Sequence, residues 1–181
     1  ESGQLDNTII IYTADHGDFA GEHGLVHKTL GMYDSILKIP FLISWPTGPK
    51  GEKSDEIIES IDLYPTLCEL CKILLSNEVE GESLVSLINE SKYKKDAAFC
   101  ESRNESSIRT KDFRMVFYKS ESDGELYDHR NDEQEVINLW DNPDYFEIRL
   151  KLTEQLLAFT MNHAVITDLK TTRNVERKMR Y

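Results

Sequence analysis

The chain is poor in the features that mark membrane proteins, disulfide scaffolds and nucleic-acid binders. Its 181 residues include only three cysteines, five prolines and nine glycines. Three cysteines cannot build a disulfide framework, and unpaired thiols lean toward the cytoplasm without assigning a compartment. No apolar run approaches the roughly 20 residues of a spanning helix, so no membrane partner is expected. Positive charge is scarce, with 21 Lys and Arg against 33 Asp and Glu and a net charge of −12. That balance argues against nucleic acid as a partner, although a local cationic site can still take an anionic ligand. There is no internal repeat and no low-complexity tract. The start, Glu1-Ser2-Gly3-Gln4, has neither an initiator Met nor a basic-then-apolar signal segment and reads as the interior of a longer chain.

Two isolated signals have bland readings. Cys68 and Cys71 form C-x-x-C, but they sit in an apolar helical pattern rather than at a helix start after a strand, so two small core side chains on one helix face are expected. Cys100, ending Ala97-Ala98-Phe99-Cys100, is also expected in the core. Asn89 and Asn104 head N-x-S triplets, which matter only in a secreted protein.

What is present is concentrated in "TADHGDFAGEHGLVHK", Thr13 to Lys28. It follows the β-branched and aromatic run at residues 8–13, which predicts a strand buried on both faces. "TLGMYDSILK" predicts a short helix before Pro40, and "PFLISWP" a second buried strand stopped by Pro46 and "TGPKG". "SIDLYPTLCELCKILL" predicts a helix capped by Ser60 or Asp62, with Pro65 in its first turn and Leu67, Leu70, Cys71 and Leu74 at helical spacing. This alternation predicts an α/β layer with a largely parallel sheet over residues 1–75. Beyond it, "DAAFCES", "SSIRTK", "FRMVFYKS" and "ELYDH" are short strands separated by turn material such as Ser122-Asp123-Gly124, which favours an antiparallel sheet. Pro143 then opens a helix over 143–162 with Phe146, Leu150, Leu157 and Met161 on an apolar stripe. Residues 76–167 are expected to form this smaller subdomain, and residues 168–181 a basic arm, exposed or ordered by another subunit.

Ligands of open α/β sheets bind beyond the carboxyl ends of strands, and Asp15 and His16 fall there. A carboxylate oxygen and an imidazole nitrogen can serve one metal ion, and Gly17 lets the backbone turn sharply beneath them.

Taken together, D-H-G, then G-E-H-G, then a lysine twelve residues after the histidine, then a strand ending in W-P, resemble the sulfatase family of the alkaline-phosphatase superfamily. "ESIDLYPTLCEL" resembles the family's D-L-x-P-T-L helix, and "GESL" at 81–84 its G-x-S-L turn. "SIRTKDFRMVFY" resembles its V-R-T-x-x-x-K-L strand pair, and "GELYDHRNDEQEVINLW" its E-L-Y-D-L-x-x-D-P-x-E-x-x-N-L segment. The five pieces occur in the family's order. The resemblance implies the C-terminal part of an alkaline-phosphatase-like α/β sandwich, with a small antiparallel sheet plus helix. It implies Asp15 and His16 as two ligands of a divalent cation, usually calcium; the imidazole favours manganese or zinc on softness grounds. It implies Lys28 as the lysine that contacts sulfate oxygens and stabilises developing negative charge, with His27 beside it as a pocket residue and Glu22 and His23 as loop-shaping residues.

The same resemblance implies a formylglycine nucleophile made from C/S-x-P-x-R, and no such motif occurs in this chain. By itself the chain is therefore expected to be inactive. The expected parent is a hydrolase of sulfate esters, small molecules or sulfated glycans, and a homo-oligomer is compatible with the arm. A phosphonate monoester or phosphodiester hydrolase makes the same demands on metal and lysine. A degenerate relative acting as a binding module is the third reading, against which the intact Asp15, His16 and Lys28 weigh.

Overall fold

A computed structural model describes residues 3–28, 31–76, 79–90, 93, 95–119 and 123–178, with side chains of residues 88–90 and 163–178 excepted. Thr29-Leu30 at the head of "TLGMYDSILK", Ser91 of the first N-x-S triplet, Ser122 of the expected turn and the last three residues of the basic arm lie outside the described residues. The chain divides into two compact units, Glu1–Ala98 and Phe99–Tyr181.

In the first unit, β1 (Ile10–Thr13) pairs with β2 (Phe41–Ser44), joined through a long loop and the single-turn helix α1 (Asp34–Leu37). The pair is antiparallel, with Ile11 opposite Ile43 and Thr13 opposite Phe41. This corrects the expected parallel arrangement: α1 is too short to cover a sheet face as a crossover helix does, and the connection returns the chain alongside itself. Nor are β1 and β2 buried on both faces, since Ile10 and Tyr12 of β1 are 49% and 62% exposed and Leu42 of β2 is 66% exposed. Their apolar character calls for a cover that the described residues do not provide.

The helix α2 (Leu63–Leu70) follows a 3-10 turn whose capping box joins Glu59 and Asp62. It buries Pro65, Thr66 and Cys68. It is shorter than the apolar spacing suggests. Lys72 adopts φ +56°, its N–H bonds the Glu69 carbonyl, and the Ile73 N–H bonds the Cys68 carbonyl, a Schellman closure with lysine in the glycine position. Cys71 and Leu74 therefore fall outside the core; Leu74 is 96% exposed. Cys68 is buried, Cys71 exposed and Cys100 half-buried, and no disulfide joins them.

The D-L-x-P-T-L and G-x-S-L segments prove to be one structural knot. The Asp62 carboxylate accepts the backbone N–H of Glu59 at 2.8 Å and of Glu82 at 2.9 Å. The Thr66 hydroxyl donates to the Asp62 carbonyl and accepts the Leu84 N–H. Gly81 lies so close that a Cβ would overlap the Ile61 carbonyl oxygen. Beyond the helix α3 (Val85–Glu90), which no sequence signal announced, Tyr93 and Lys95 return to the same carboxylate. These contacts carry the first unit on to Ala98, past residue 75.

The second unit is a four-stranded sheet in the order β3 (Ala97–Glu101), β4 (Glu105–Thr110), β5 (Phe113–Tyr118), β6 (Gly124–Asp128). The β4–β5 and β5–β6 pairs are antiparallel. Register places Ile108, Met115 and Leu126 in one row, all fully buried. The helix α4 (Phe146–Lys178) covers this face. Leu152 and Leu156 are buried, Thr153 Oγ1 reaches Met115 Sδ at 3.6 Å, and Phe159 stacks on Phe99 at 4.2 Å. The helix continues past residue 168, so the described part of the basic arm is helical backbone.

The opposite face is polar yet buried. The Arg114 guanidinium, with no exposed surface, pairs with Glu135 and Glu125 and lies 4.7 Å from the Tyr127 ring centre. Arg109 Nη2 donates to His129 Nδ1 at 3.1 Å. A guanidinium only donates, so His129 accepts at Nδ1, and its Nε2–H donates to Glu135 Oε1 at 2.9 Å. Glu135 itself has φ +56°. The E-L-Y-D…N-L segment thus locks the sheet. Asp132 caps the N–H groups of Val136 and Ile137, and Asn138 takes the Leu126 and Trp140 N–H groups while donating to the Gly124 carbonyl.

Candidate active-site loop

Asp15 and His16 leave the end of β1 together. Asp15 Oδ1 accepts the His16 backbone N–H at 3.1 Å. His16 Nδ1 lies 2.6 Å from the Gly17 carbonyl oxygen. A carbonyl only accepts, so Nδ1 carries the hydrogen and Nε2 presents its lone pair. That nitrogen is 3.5 Å from Asp15 Oδ2, beyond ordinary hydrogen-bond length. Neighbouring ligand atoms at about 2.1–2.4 Å from one cation stand about 3–3.5 Å apart. The donor set and its spacing fit a divalent cation, and a ring N–H held by a backbone carbonyl is how metal-bound histidines are oriented.

The turn is fixed from below. The Gly17 N–H donates to the Ile36 carbonyl at 2.8 Å, and a Cβ at Gly17 would overlap the Ser35 carbonyl oxygen. No other residue fits there without moving α1.

The loop after it is tightly wound. Asp18 Oδ1 accepts the Ala20 N–H at 2.8 Å. Phe19 is fully buried, edge-on to Tyr33 at 5.8 Å, and His23 stacks on Tyr33 at 4.0 Å. His23 is thus a loop-shaping residue, while Glu22 is exposed and contributes through its backbone to Phe19 and Leu25. Ala20, Gly21, His23, Gly24 and His27 all have φ between 49° and 104°. Three of these are not glycine, and left-handed non-glycine residues cost free energy that is usually tolerated at functional sites. The glycines could be read in the sequence; Ala20 gave no signal.

The Phe19 N–H donates to the His27 carbonyl at 3.3 Å, closing the loop and returning the chain to its start. His27 and Lys28 are exposed. The structure brings Asp15 and His16 into direct apposition. Among the described residues, no hydrogen bond or ion pair holds the Lys28 side chain to them or to any other group.

Comparison with known proteins gives this geometry its context. The family model described as N-sulphoglucosamine sulphohydrolase, C-terminal, matches residues 21–162. An N-acetylglucosamine-6-O-sulfatase of Bacteroides thetaiotaomicron is 32% identical over 169 residues, 85% of this chain and 30% of that protein. The phosphonate monoester hydrolase of Agrobacterium radiobacter superposes with a TM-score of 0.80 at 28% identity, covering 89% of this chain and 36% of that one. A structure solved with its substrate D-glucosamine-2-N,6-O-disulfate superposes with a TM-score of 0.72 at 29% identity, covering 88% and 35%. The chain spans about a third of the length of the curated relatives it matches. In sequence and in fold, this chain belongs to the sulfatase family, as a C-terminal sulfatase region of alkaline-phosphatase-like α/β architecture.

Proposed function

We propose that this chain contributes the late-sequence half of the active site of a sulfuric ester hydrolase acting on sulfated sugars. The carrying observation is the Asp15–His16 pair, with one imidazole nitrogen committed to the Gly17 carbonyl and the other 3.5 Å from the Asp15 carboxylate. Asp15 Oδ2 and His16 Nε2 would hold a divalent cation, calcium by family resemblance, manganese or zinc by ligand softness. When bound, the cation supplies Lewis-acid polarisation of an ester oxygen. The role of Asp15 and His16 is to hold and orient it; the Gly17 carbonyl fixes the imidazole tautomer. Lys28, uncommitted among the described residues, presents a compact cation to the oxygens of the sulfuryl group and stabilises charge that develops there. His27, exposed beside Lys28, would line the pocket. The nucleophile, a formylglycine, lies outside this chain, which is consequently inactive alone. The sulfated-sugar reading draws on the relatives' names, an N-acetylglucosamine-6-O-sulfatase and a complex with glucosamine disulfate.

A second reading, a phosphonate monoester or phosphodiester hydrolase, is favoured by the 0.80 TM-score to the Agrobacterium enzyme. One experiment separates them: metal content and hydrolysis of aryl sulfate, sulfated glucosamine and phenylphosphonate ester by the intact protein. Asp15→Ala and His16→Ala are expected to lose metal and turnover together. Lys28→Ala is expected to keep metal and lose turnover by about 10²–10³-fold, the scale for one preorganised electrostatic contact. Phosphonate hydrolysis exceeding sulfate hydrolysis would transfer the assignment to the second reading. A metal-replete Asp15→Ala protein with undiminished turnover would refute both.

A further inference from the structure

The single turn α1 anchors both the Asp15–His16 turn and the loop that returns Lys28. Its Ile36 carbonyl accepts the Gly17 N–H beneath Asp15 and His16. Tyr33 is the N-cap of the same helix, and its carbonyl accepts the Ile36 and Leu37 N–H groups at 2.9 and 3.0 Å. The Tyr33 ring packs on the loop. His23 stacks on it at 4.0 Å, with the planes 27° apart, and Phe19 meets it edge-on at 5.8 Å. Phe19 is fully buried, and its N–H takes the carbonyl of His27, one residue before Lys28. Beyond Lys28, a Cβ on Gly31 would come within 3.0 Å of the same Tyr33 ring. The chain is thus packed against one ring on both flanks of Lys28. His23 is a costly residue at its place: exposed and left-handed, with φ +53°. What it adds over a glycine, which would adopt that φ freely, is the ring stacked on Tyr33.

We propose that Tyr33 is a positioning residue for Lys28. Through the His23 stack and the Phe19 contact, its ring holds the Lys28 loop in fixed register with the Asp15–His16 turn, and α1 is their common base. Given the sulfuryl-contacting role proposed for Lys28, that register is what the reaction reads. A cation stabilises a transition state without reorganisation only when it already stands where charge develops. A displacement of about 1 Å in such a group costs about 10²-fold in rate.

Turnover of aryl sulfate and phenylphosphonate ester, apparent metal affinity and hydrogen exchange, all on the intact protein, test this. Tyr33→Ala is expected to lower kcat by about 10–10²-fold. Its metal affinity should hold, because the Ile36 carbonyl beneath Gly17 survives the substitution. Tyr33→Phe keeps the ring and should restore kcat. His23→Gly suits the left-handed turn, so its melting temperature should hold while kcat falls; it carries the test if Tyr33→Ala does not fold. In both loosened variants the Phe19 amide, held by the His27 carbonyl, should exchange faster. On a Lys28→Ala background, Tyr33→Ala should lower kcat no further, as expected of residues that act as one unit. Parental kcat in His23→Gly and Tyr33→Ala, a Tyr33→Phe protein as slow as Tyr33→Ala, or full multiplication of the Tyr33 and Lys28 effects would overturn the positioning role and leave Lys28 in the mechanism. So would loss of metal in Tyr33→Ala, which would make Tyr33 a support of the metal turn instead. Parental turnover in Lys28→Ala itself would overturn both the positioning role and the reading of Lys28 on which it rests.

Discussion

Asp62, with no exposed surface, holds both carboxylate oxygens 2.8 Å from the ammonium of Lys95. The same carboxylate takes the Tyr93 hydroxyl at 3.0 Å and the N–H groups of Glu59 and Glu82. One side chain therefore ties the start of α2, the "GESL" turn and the segment before β3. Asp62→Ala should cost about 3–5 kcal/mol, since it strands two backbone donors and takes one carboxylate from the Lys95 ammonium, leaving it Glu59 at 2.9 Å. Lys95→Met should cost less, because the carboxylate keeps three donors. Urea unfolding of the two variants gives the order, and a milder Asp62→Ala would discount the knot.

Acid should loosen the protein in a defined window. Burial pushes the Asp62 carboxyl up, but hydrogen bonds from Lys95 and from the Glu82 and Glu59 backbone outweigh it, and the net direction is down. The Arg130 guanidinium holds Asp128 at about 2, against the opposing pull of burial. In both cases the folded value lies below the unfolded one, about 3.9. The unfolded chain then binds more protons as pH falls, so the stabilisation present above about pH 4 is lost between there and about pH 2. Asp128→Asn should be less stable than the parent at neutral pH and lose less on acidification. Denaturant midpoints measured from neutral pH down to about pH 2 check this, and parallel profiles for parent and variant would count against it.

Legibility followed the strength of local signals. The four strands of the second unit were readable because each is short, holds at least one β-branched or aromatic residue, and is bounded by breaks such as Lys111-Asp112 and Asp123-Gly124. The turn after β1 was readable because Asp15, His16 and Gly17 are three residues of distinct chemistry at a strand end. The end of α2 was not readable. Leu74 keeps helical spacing, and only the left-handed turn at Lys72, a residue with no preference for it, stops the helix. The strand pairing was misread because an apolar run such as Ile9-Ile10-Ile11 carries no direction and no information about what covers it. The buried Arg114–Glu135 pair was invisible, since charged residues 21 positions apart give no sign that a sheet face and a loop will meet.

That pair supports a test of non-additivity. Glu135→Leu leaves the Arg114 guanidinium buried beside Glu125 without its partner from the loop, and removes the acceptor of His129 Nε2–H. A loss of about 3–5 kcal/mol is expected. Adding Arg114→Met removes the buried cation that Glu135 balances, so the double variant should be less destabilised than the sum of the singles by about 1–3 kcal/mol. Chemical denaturation of all four proteins measures the coupling, and simple addition would show that the two side chains act independently.

Gly17 offers a test of the site that leaves every candidate ligand in place. A Cβ there would overlap the carbonyl oxygen of Ser35, and the Gly17 N–H is anchored to Ile36 at 2.8 Å. Gly17→Ala must therefore lift the turn away from α1. The Gly17 carbonyl moves with it, and that carbonyl is the acceptor that fixes His16 Nδ1 as the protonated nitrogen. The loss should thus appear first in the metal. Apparent cation affinity of the intact protein should fall by about 10–100-fold, the scale for disturbing the partner that orients a metal-bound histidine. Turnover should be partly restored at high metal concentration. His16→Ala, which removes the ligand itself, should not be restored. Metal titration with parallel activity assays on both variants distinguishes the cases. Full activity of Gly17→Ala at low metal would show that the turn tolerates a side chain and that the histidine is oriented by something other than its neighbour's carbonyl.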